Sequence, residues 1–481
     1  MQVFRSHTFV ILASLAYILV SCYLVWIDQE YLALAPVGLL AMYAAIVYTQ
    51  WTYLALALFT PLSVNIEEYT ESFGLFIPTE PILFGLLILL VLRQIQDRAF
   101  EKEIWKHPII WAVSFYLMWT FVTSITSEHP MASFKFLLAK LWFVVPILFY
   151  GPSVFKHTKH IKTFVWLLTI GMTVVISYTL VVHASYGFGE KEGHWVMWPF
   201  FKDHTIYGAA VAFVTPLIFG LYFMKKHNPL MQVTIIGLAL IILVGLYFSY
   251  TRAAWLSVVA ALCVLAAIKL KIKFSWIATG VVILGTFLYF SKDAIQMELE
   301  RNKYEHTTEE FGERLQSAAN VTTDASNLER LNRWSCAIEM FKERPIFGFG
   351  PGTYAFEYAR FQDPENLTII STNFGDLGNA HSEYLGPLSE MGFLGMFAMI
   401  LIVIAIFYKG ITLYLKWPSE DREMRTLILS MILALVTYFV HGVLNNFLDT
   451  DKAAIPVWGF CAAFIALEIV LKRKEAANSL N

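Results

Sequence analysis

The stretch from Leu230 to Leu270 reads LMQVTIIGLALIILVGLYFSYTRAAWLSVVAALCVLAAIKL, and its only charged residues are Arg252 and Lys269. Two apolar runs meet at Ser249-Tyr250-Thr251-Arg252, and each has about the 20 residues that an α-helix needs to cross a bilayer. Working outward, similar runs recur along most of the 481 residues. Hydrophobic residues make up 57% and charged residues 15%, with a mean hydropathy of +0.59. Soluble domains carry about 25% charged residues, so this chain cannot clothe itself in a charged surface. Its net charge of -2 gives no case for binding nucleic acid. Cys22, Cys263 and Cys461 lie in apolar runs and Cys336 stands alone in a polar region, which suggests neither a disulfide framework nor a zinc site.

Windows of hydropathy set against bilayer thickness predict spans near 8–27, 31–48, 49–62, 78–92, 108–125, 134–150, 161–184, 205–224, 230–249, 252–270 and 275–291. Three more follow near 383–408, 427–447 and 453–471. The run Thr8–Ile27 lacks a small-residue cleavage site and reads as a retained span. Spans 31–48 and 49–62 require a tight turn at Tyr48-Thr49-Gln50-Trp51. The expected fold is an all-α polytopic membrane protein of about 12–14 helices. Its expected parts are N-terminal transmembrane helices (1–291), a large, mostly helical outer loop (292–382), three C-terminal transmembrane helices (383–471) and a tail (472–481).

Lys and Arg gather in alternate connections: Arg93 to Lys106, Lys156 to Lys162, Lys225-Lys226, Lys269 to Lys273, Lys409 to Arg425, and Lys472 to Lys474. The connections 63–77 and 126–133 contain none. That asymmetry predicts cytoplasmic termini and an outward-facing loop. Within the loop, Leu328–Glu343 reads as an amphipathic helix with Leu331, Trp334, Ile338 and Phe341 on one face. Arg344-Pro345 ends it, and Gly348-Phe349-Gly350-Pro351-Gly352 turns the chain.

Polar groups at membrane depth are the first candidates for chemistry, because ionisable residues there are expensive. Arg252 could be a snorkelling anchor, or a guanidinium placed to take a phosphate or diphosphate in its fork of donors. Arg330 and Arg333 could equally be a solvated face pairing with Glu329 or Glu339. His381 follows Asn379, an expected N-cap, and could accept a proton from a sugar hydroxyl. His204 opens another span from the outer side. Lys140 lies deep enough to need a carboxylate or phosphate partner. Glu67-Glu68 is the acidic pair of the outer loop 63–77 and reads as solvated. No metal-ligand spacing is present, so neither a metal nor a cofactor is expected.

Taken in order, these fragments resemble the O-antigen ligase and polymerase superfamily of bacterial membrane glycosyltransferases, most strongly from about residue 200 to 400. Ser249-x-Thr251-Arg252 looks like the family's arginine motif at the outer end of a span. Arg330-Leu331-Asn332-Arg333-Trp334, then Pro345-x-x-Gly348-x-Gly350, look like its loop helix and turn. Asn379-Ala380-His381-Ser382, followed by Glu390-Met391-Gly392, looks like the segment opening its next span. The resemblance implies a GT-C-like fold and an inverting, metal-independent transfer of a glycan from undecaprenyl diphosphate to an acceptor hydroxyl, such as one on lipid A-core. By the same resemblance Arg252 and Arg330 bind the diphosphate and His381 is the general base. Lys140, His204, Arg333 and Asn379 are second-tier candidates. The expected partners are the lipid-linked donor, a glycolipid or glycan acceptor and membrane lipid, in the bacterial inner membrane. A polymerase or a protein O-glycosyltransferase would share the same motifs. A lipid-linked sugar transporter would instead keep its polar residues at the midplane.

Overall fold

A computed structural model describes residues 7–27, 35–67, 74–97, 100–273, 325–362 and 378–478, with scattered residues between 275 and 290. The helices are α1 (His7–Trp26), α2 (Ala35–Val47), α3 (Thr49–Leu62), α4 (Thr79–Asp97), α5 (Pro108–Ile125), α6 (Pro130–Phe155), α7 (Thr158–Ser185), α8 (His204–Phe223), α9 (Pro229–Tyr247) and α10 (Arg252–Lys269). After them come α11 (Ala325–Glu343), α12 (Leu385–Lys416), α13 (Arg422–His441) and α14 (Asp451–Asn478). Among the described residues, ten helices are long and apolar enough to cross a membrane: α4 to α10 and α12 to α14. The chain is an all-α polytopic membrane protein. Its only sheet among those residues is the two-stranded hairpin of Val64–Asn65 and Phe76–Ile77.

Helices dominate because hydrocarbon offers backbone N–H and C=O groups no partner, and a helix satisfies its own. The expected turn between α2 and α3 is a single residue, Tyr48 (φ -114, ψ 42), which divides the run into helices of 13 and 14 residues. The predicted span 275–291 falls almost wholly outside the described residues.

Burial ranks the helices. In α14 and α13, 89% and 83% of the apolar window is enclosed, against 22% for α9 and α10. The first two therefore form the centre of the bundle and the last two face lipid. Close approach rests on small residues, as expected where lipid is as apolar as leucine. At Gly208 of α8, a Cβ would lie 2.6 Å from Thr251, at the start of α10.

The second structural device is a kink. Within α12, Gly392 adopts φ 68 and ψ -166, a left-handed conformation that glycine enters without steric penalty. The kink frees carbonyls that must be satisfied elsewhere. The turn after α11 supplies donors: Phe349 N–H to Ser389 O (3.3 Å) and Gly350 N–H to Glu390 O (2.8 Å). Trp119 Nε1 donates to Met391 O at 2.8 Å. In return, Phe393 N–H donates to Pro345 O at 2.9 Å. The glycine-rich turn is thus a packing element that clamps the loop helix onto α12.

Two local expectations are corrected. Ile338, on the face expected to be apolar, is 41% exposed, whereas Glu329, Asn332, Arg333, Cys336, Ala337 and Met340 are buried. The loop helix turns inward a face that carries an ion pair, which hydrophobicity alone cannot select. Asn379 does not cap α12, which starts at Leu385. Ser382 Oγ accepts from the N–H groups of Tyr384 and Leu385, both at 3.3 Å.

Candidate active site

His381 sits just before α12 with φ +46, an uncommon conformation for a residue with a Cβ and one that needs local support. Asn379 provides it, its Oδ1 accepting from His381 N–H at 2.9 Å. On the other side, Glu383 fastens the segment to the end of α13. Its N–H donates to Gly442 O at 2.8 Å, and its Oε1 accepts from the N–H groups of Phe447 (2.7 Å) and Leu448 (2.9 Å). Burial pushes the Glu383 carboxyl upward, followed by the charge of Asp449.

That fastening sets His381 against the α13 terminus. The side chain of Asn445, 2% exposed, hydrogen-bonds the His381 imidazole and lies 3.1 Å from His441 Nε2. The two histidines thus share one amide. Both lie within electrostatic reach of Arg330 and Asp203, and Arg333 also acts on His381. Burial, then Arg333, then Arg330 depress the His381 imidazole to about 4, against smaller opposing effects of Asp203 and the Asn445 bond. Near neutral pH it is therefore an uncharged, acceptor-capable ring.

Arg333 is buried. Its Nε donates to Glu329 Oε1 at 2.8 Å, its Nη1 donates to Asn379 O at 3.2 Å, and its guanidinium lies 5.3 Å from the Tyr358 ring centre. It ties the loop helix to the His381 segment. Arg330, one turn earlier, is half-buried on the same helix.

Arg252 opens α10, where the positive end of the helix dipole adds to its charge. Its neighbours close the site from below. Thr251 Oγ1 donates to His204 O at 2.7 Å, joining the starts of α8 and α10. Asp203 caps α8, accepting at Oδ1 from Thr205 N–H (2.7 Å) and Ile206 N–H (3.2 Å). The His204 ring instead stacks on His194, with centroids 4.1 Å apart, so Asp203 is the residue of this pair that faces the two histidines.

Lys140 is buried behind this cluster. It pairs with Asp449 and lines a cavity of about 280 Å³ with Asn379, Glu383, Glu390 and Asn446. Glu67 is an exposed partner of Lys202 at 3.0 Å, and Glu68 lies outside the described residues. Among the described residues, no three His, Cys, Asp or Glu side chains form a cation site.

Sequence reasoning missed Asp203, His441 and Asn445. A histidine closing an otherwise apolar span is itself a signal at membrane depth. His441 carried that signal.

The polar cluster therefore joins the starts of α8 and α10, the loop helix, the segment before α12 and the end of α13. Residues 237–400 match the family model described as O-antigen ligase. Over this segment, about a third of the chain, the protein is similar to the O-antigen ligase superfamily. Arg252, Arg330 and His381 all lie inside the matched residues; Asp203, His441 and Asn445 lie outside them. No curated protein shows a significant match. That similarity supports an O-antigen ligase- or polymerase-like membrane glycosyltransferase.

Proposed function

We propose that the chain transfers a glycan from an undecaprenyl-diphosphate carrier to an acceptor sugar hydroxyl, in the manner of an O-antigen ligase acting on lipid A-core or a similar glycolipid. The observation that carries this reading is His381, an uncharged imidazole on a supported left-handed turn within reach of Arg330. In the reaction, the acceptor oxygen attacks the anomeric carbon from the face opposite the diphosphate. Its proton passes to His381, and the bond from anomeric carbon to phosphate oxygen breaks. Negative charge gathers on the departing diphosphate, where Arg252 and Arg330 meet it without reorganising water. The transfer inverts the anomeric centre and draws on no metal. Arg333 and Asn379 position His381, while Lys140 with Asp449 supports the wall behind it.

The distribution of Lys and Arg supports an inner-membrane orientation with cytoplasmic termini and the 292–382 loop in the periplasm. The loop's described residues, 325–362 and 378–382, are read as a lid over the helices that hold Arg252 and His441.

The test uses purified protein, a defined undecaprenyl-diphosphate glycan and three acceptors: lipid A-core, a second lipid-linked glycan and an acceptor peptide, each with and without chelator. Product on lipid A-core that persists in chelator and vanishes in His381→Ala is the expected result. Full transfer by His381→Ala, with the protein still folded in the membrane, sinks the role of His381. Product only on the second glycan or only on the peptide replaces the ligase reading with a polymerase or a protein glycosyltransferase.

A further inference from the structure

Helices α8, α10 and α13 carry the polar cluster at one end, and their opposite ends enclose a second feature. The C-terminal part of α8, most of α10 and the N-terminal half of α13 line a cavity of about 920 Å³. That is near the upper end of the range for small-molecule sites. Phe219, Phe223, Leu262 and Leu265 contribute to its apolar walls, and Lys269, Arg422 and Arg425 are its basic residues, with no acidic side chain in the lining.

The acids nearest in sequence are engaged elsewhere. Asp421 caps α13 and accepts from Trp417 Nε1, Glu423 pairs with Lys162 at 2.8 Å, and Glu420 accepts from Ser419 Oγ. Arg425 is held over the Tyr414 ring at 4.8 Å. Its buried Nε has no hydrogen-bond partner among the described residues. A partly buried guanidinium with a spare donor, beside two more cations and above an apolar groove, fits a phosphodiester joined to acyl chains. Basic pockets between transmembrane helices recognise anionic lipid headgroups in this way.

We propose that this groove binds an anionic glycerophospholipid, with its phosphodiester on Arg422 and Arg425 and an acyl chain along α8 and α10. A zwitterionic lipid would bring its own ammonium to three cations and is disfavoured. Free phosphate would leave the apolar walls unfilled. A polyprenyl carrier held by its diphosphate at Arg252 would have its headgroup at the far end of the same helices. The inference does not depend on the transferase reading.

The experiment is native mass spectrometry of the full chain in detergent, with equimolar phosphatidylglycerol and phosphatidylcholine. Separate arms contain undecaprenyl phosphate and inorganic phosphate. Each basic side chain near a membrane surface contributes about fivefold in affinity for anionic lipid. Phosphatidylglycerol should therefore dominate the adducts, and Arg422→Ala with Arg425→Ala should weaken its binding by about 25-fold. Arg422→Lys with Arg425→Lys, which keeps the charge, should retain most of the preference and guards against a simple folding defect. Leu262→Trp, at a position 58% exposed along the groove, should block the acyl chain and reduce binding with all three cations intact. Equal binding of the two glycerophospholipids would overturn the proposal. So would a preference that survives Leu262→Trp, which would reduce the site to bare surface charge. Displacement of phosphatidylglycerol by undecaprenyl phosphate at equal concentration, or by inorganic phosphate alone, would reject the glycerophospholipid as occupant.

Discussion

The pH dependence of transfer tests the electrostatics around His381 most directly. An ordinary histidine, with a pKa of 6.5, is only about one-tenth neutral at pH 5.5, whereas one at about 4 is almost wholly neutral there. If His381 is the base, kcat/KM at pH 5.5 should stay within a factor of two of its value at pH 7.5, rather than falling about tenfold. The acidic limb of kcat/KM, which reports the free enzyme, should lie near pH 4. Bound diphosphate brings negative charge to the arginines that depress the imidazole, so the limb of kcat should lie at higher pH. Arg330→Gln should raise the kcat/KM limb towards 6.5 while slowing transfer. The sign for stability follows from the same depression. Between pH 6.5 and 4 the unfolded chain binds a proton that the folded chain refuses, so this group's contribution to stability falls as pH falls through that window. Rates and unfolding midpoints must be measured side by side. A kcat/KM limb at 6.5 in the unaltered protein, or one that Arg330→Gln leaves unmoved, would refute the reasoning.

The remaining expectations concern the supports of the site. Gly392→Ala would force a Cβ into a left-handed position 2.2 Å from Ile346 O. It should destabilise by at least about 1–3 kcal/mol, read as a lower unfolding midpoint in detergent. Arg333→Ala would break the buried Glu329–Arg333 ion pair, at a penalty of about 3–5 kcal/mol. Limited proteolysis should then cut within the loop helix, and Arg333→Lys should protect it only in part. Asn445→Ala should lower kcat by roughly tenfold to a hundredfold through misplacement of the His381 ring, with KM nearly unchanged. A matched fall in kcat/KM produced by KM alone would remove Asn445 from the positioning role.

The spans were legible because their signal is local: a run of about 20 apolar residues has few fates other than crossing a bilayer. The turn at Tyr48 was legible too, since an apolar run longer than one crossing must turn within it, although the resulting helices of 13 and 14 residues are not among the ten long enough to span. The need of Lys140 for a partner was legible for a similar reason, because a buried ammonium demands one. Its identity, Asp449, was not, because nothing local links residues 309 apart in sequence. The inward face of α11 was missed because the sequence rewards apolar faces, whereas the fold buries the Glu329–Arg333 pair. His381 was expected in a helix's first turn because Asn379 resembles a cap. Its true role, accepting from His381 N–H, supports a conformation that depends on the α13 terminus as well. Asp203, His441 and Asn445 belong to the site only through the packing of α8, α12 and α13.

On the proposed reading, the arrangement couples donor binding to base strength. An imidazole held near 4 is a weak base, and the arginines that weaken it are those proposed, or adjacent to those proposed, to take the diphosphate. Before the donor arrives, the cluster is cationic and His381 is neutral but unreactive. Once the diphosphate neutralises Arg330, one of the two charges holding the imidazole down is offset, and its affinity for the acceptor's proton rises. Asn445 keeps the ring in one orientation through that change, and Arg333, engaged with Glu329 and the Asn379 carbonyl, stays in place. The separation of roles explains why two arginines stand one turn apart on the loop helix: one is buried and structural, the other half-buried and proposed to take the diphosphate. A site built this way acquires its base when its leaving group is bound, which limits idle proton exchange with water.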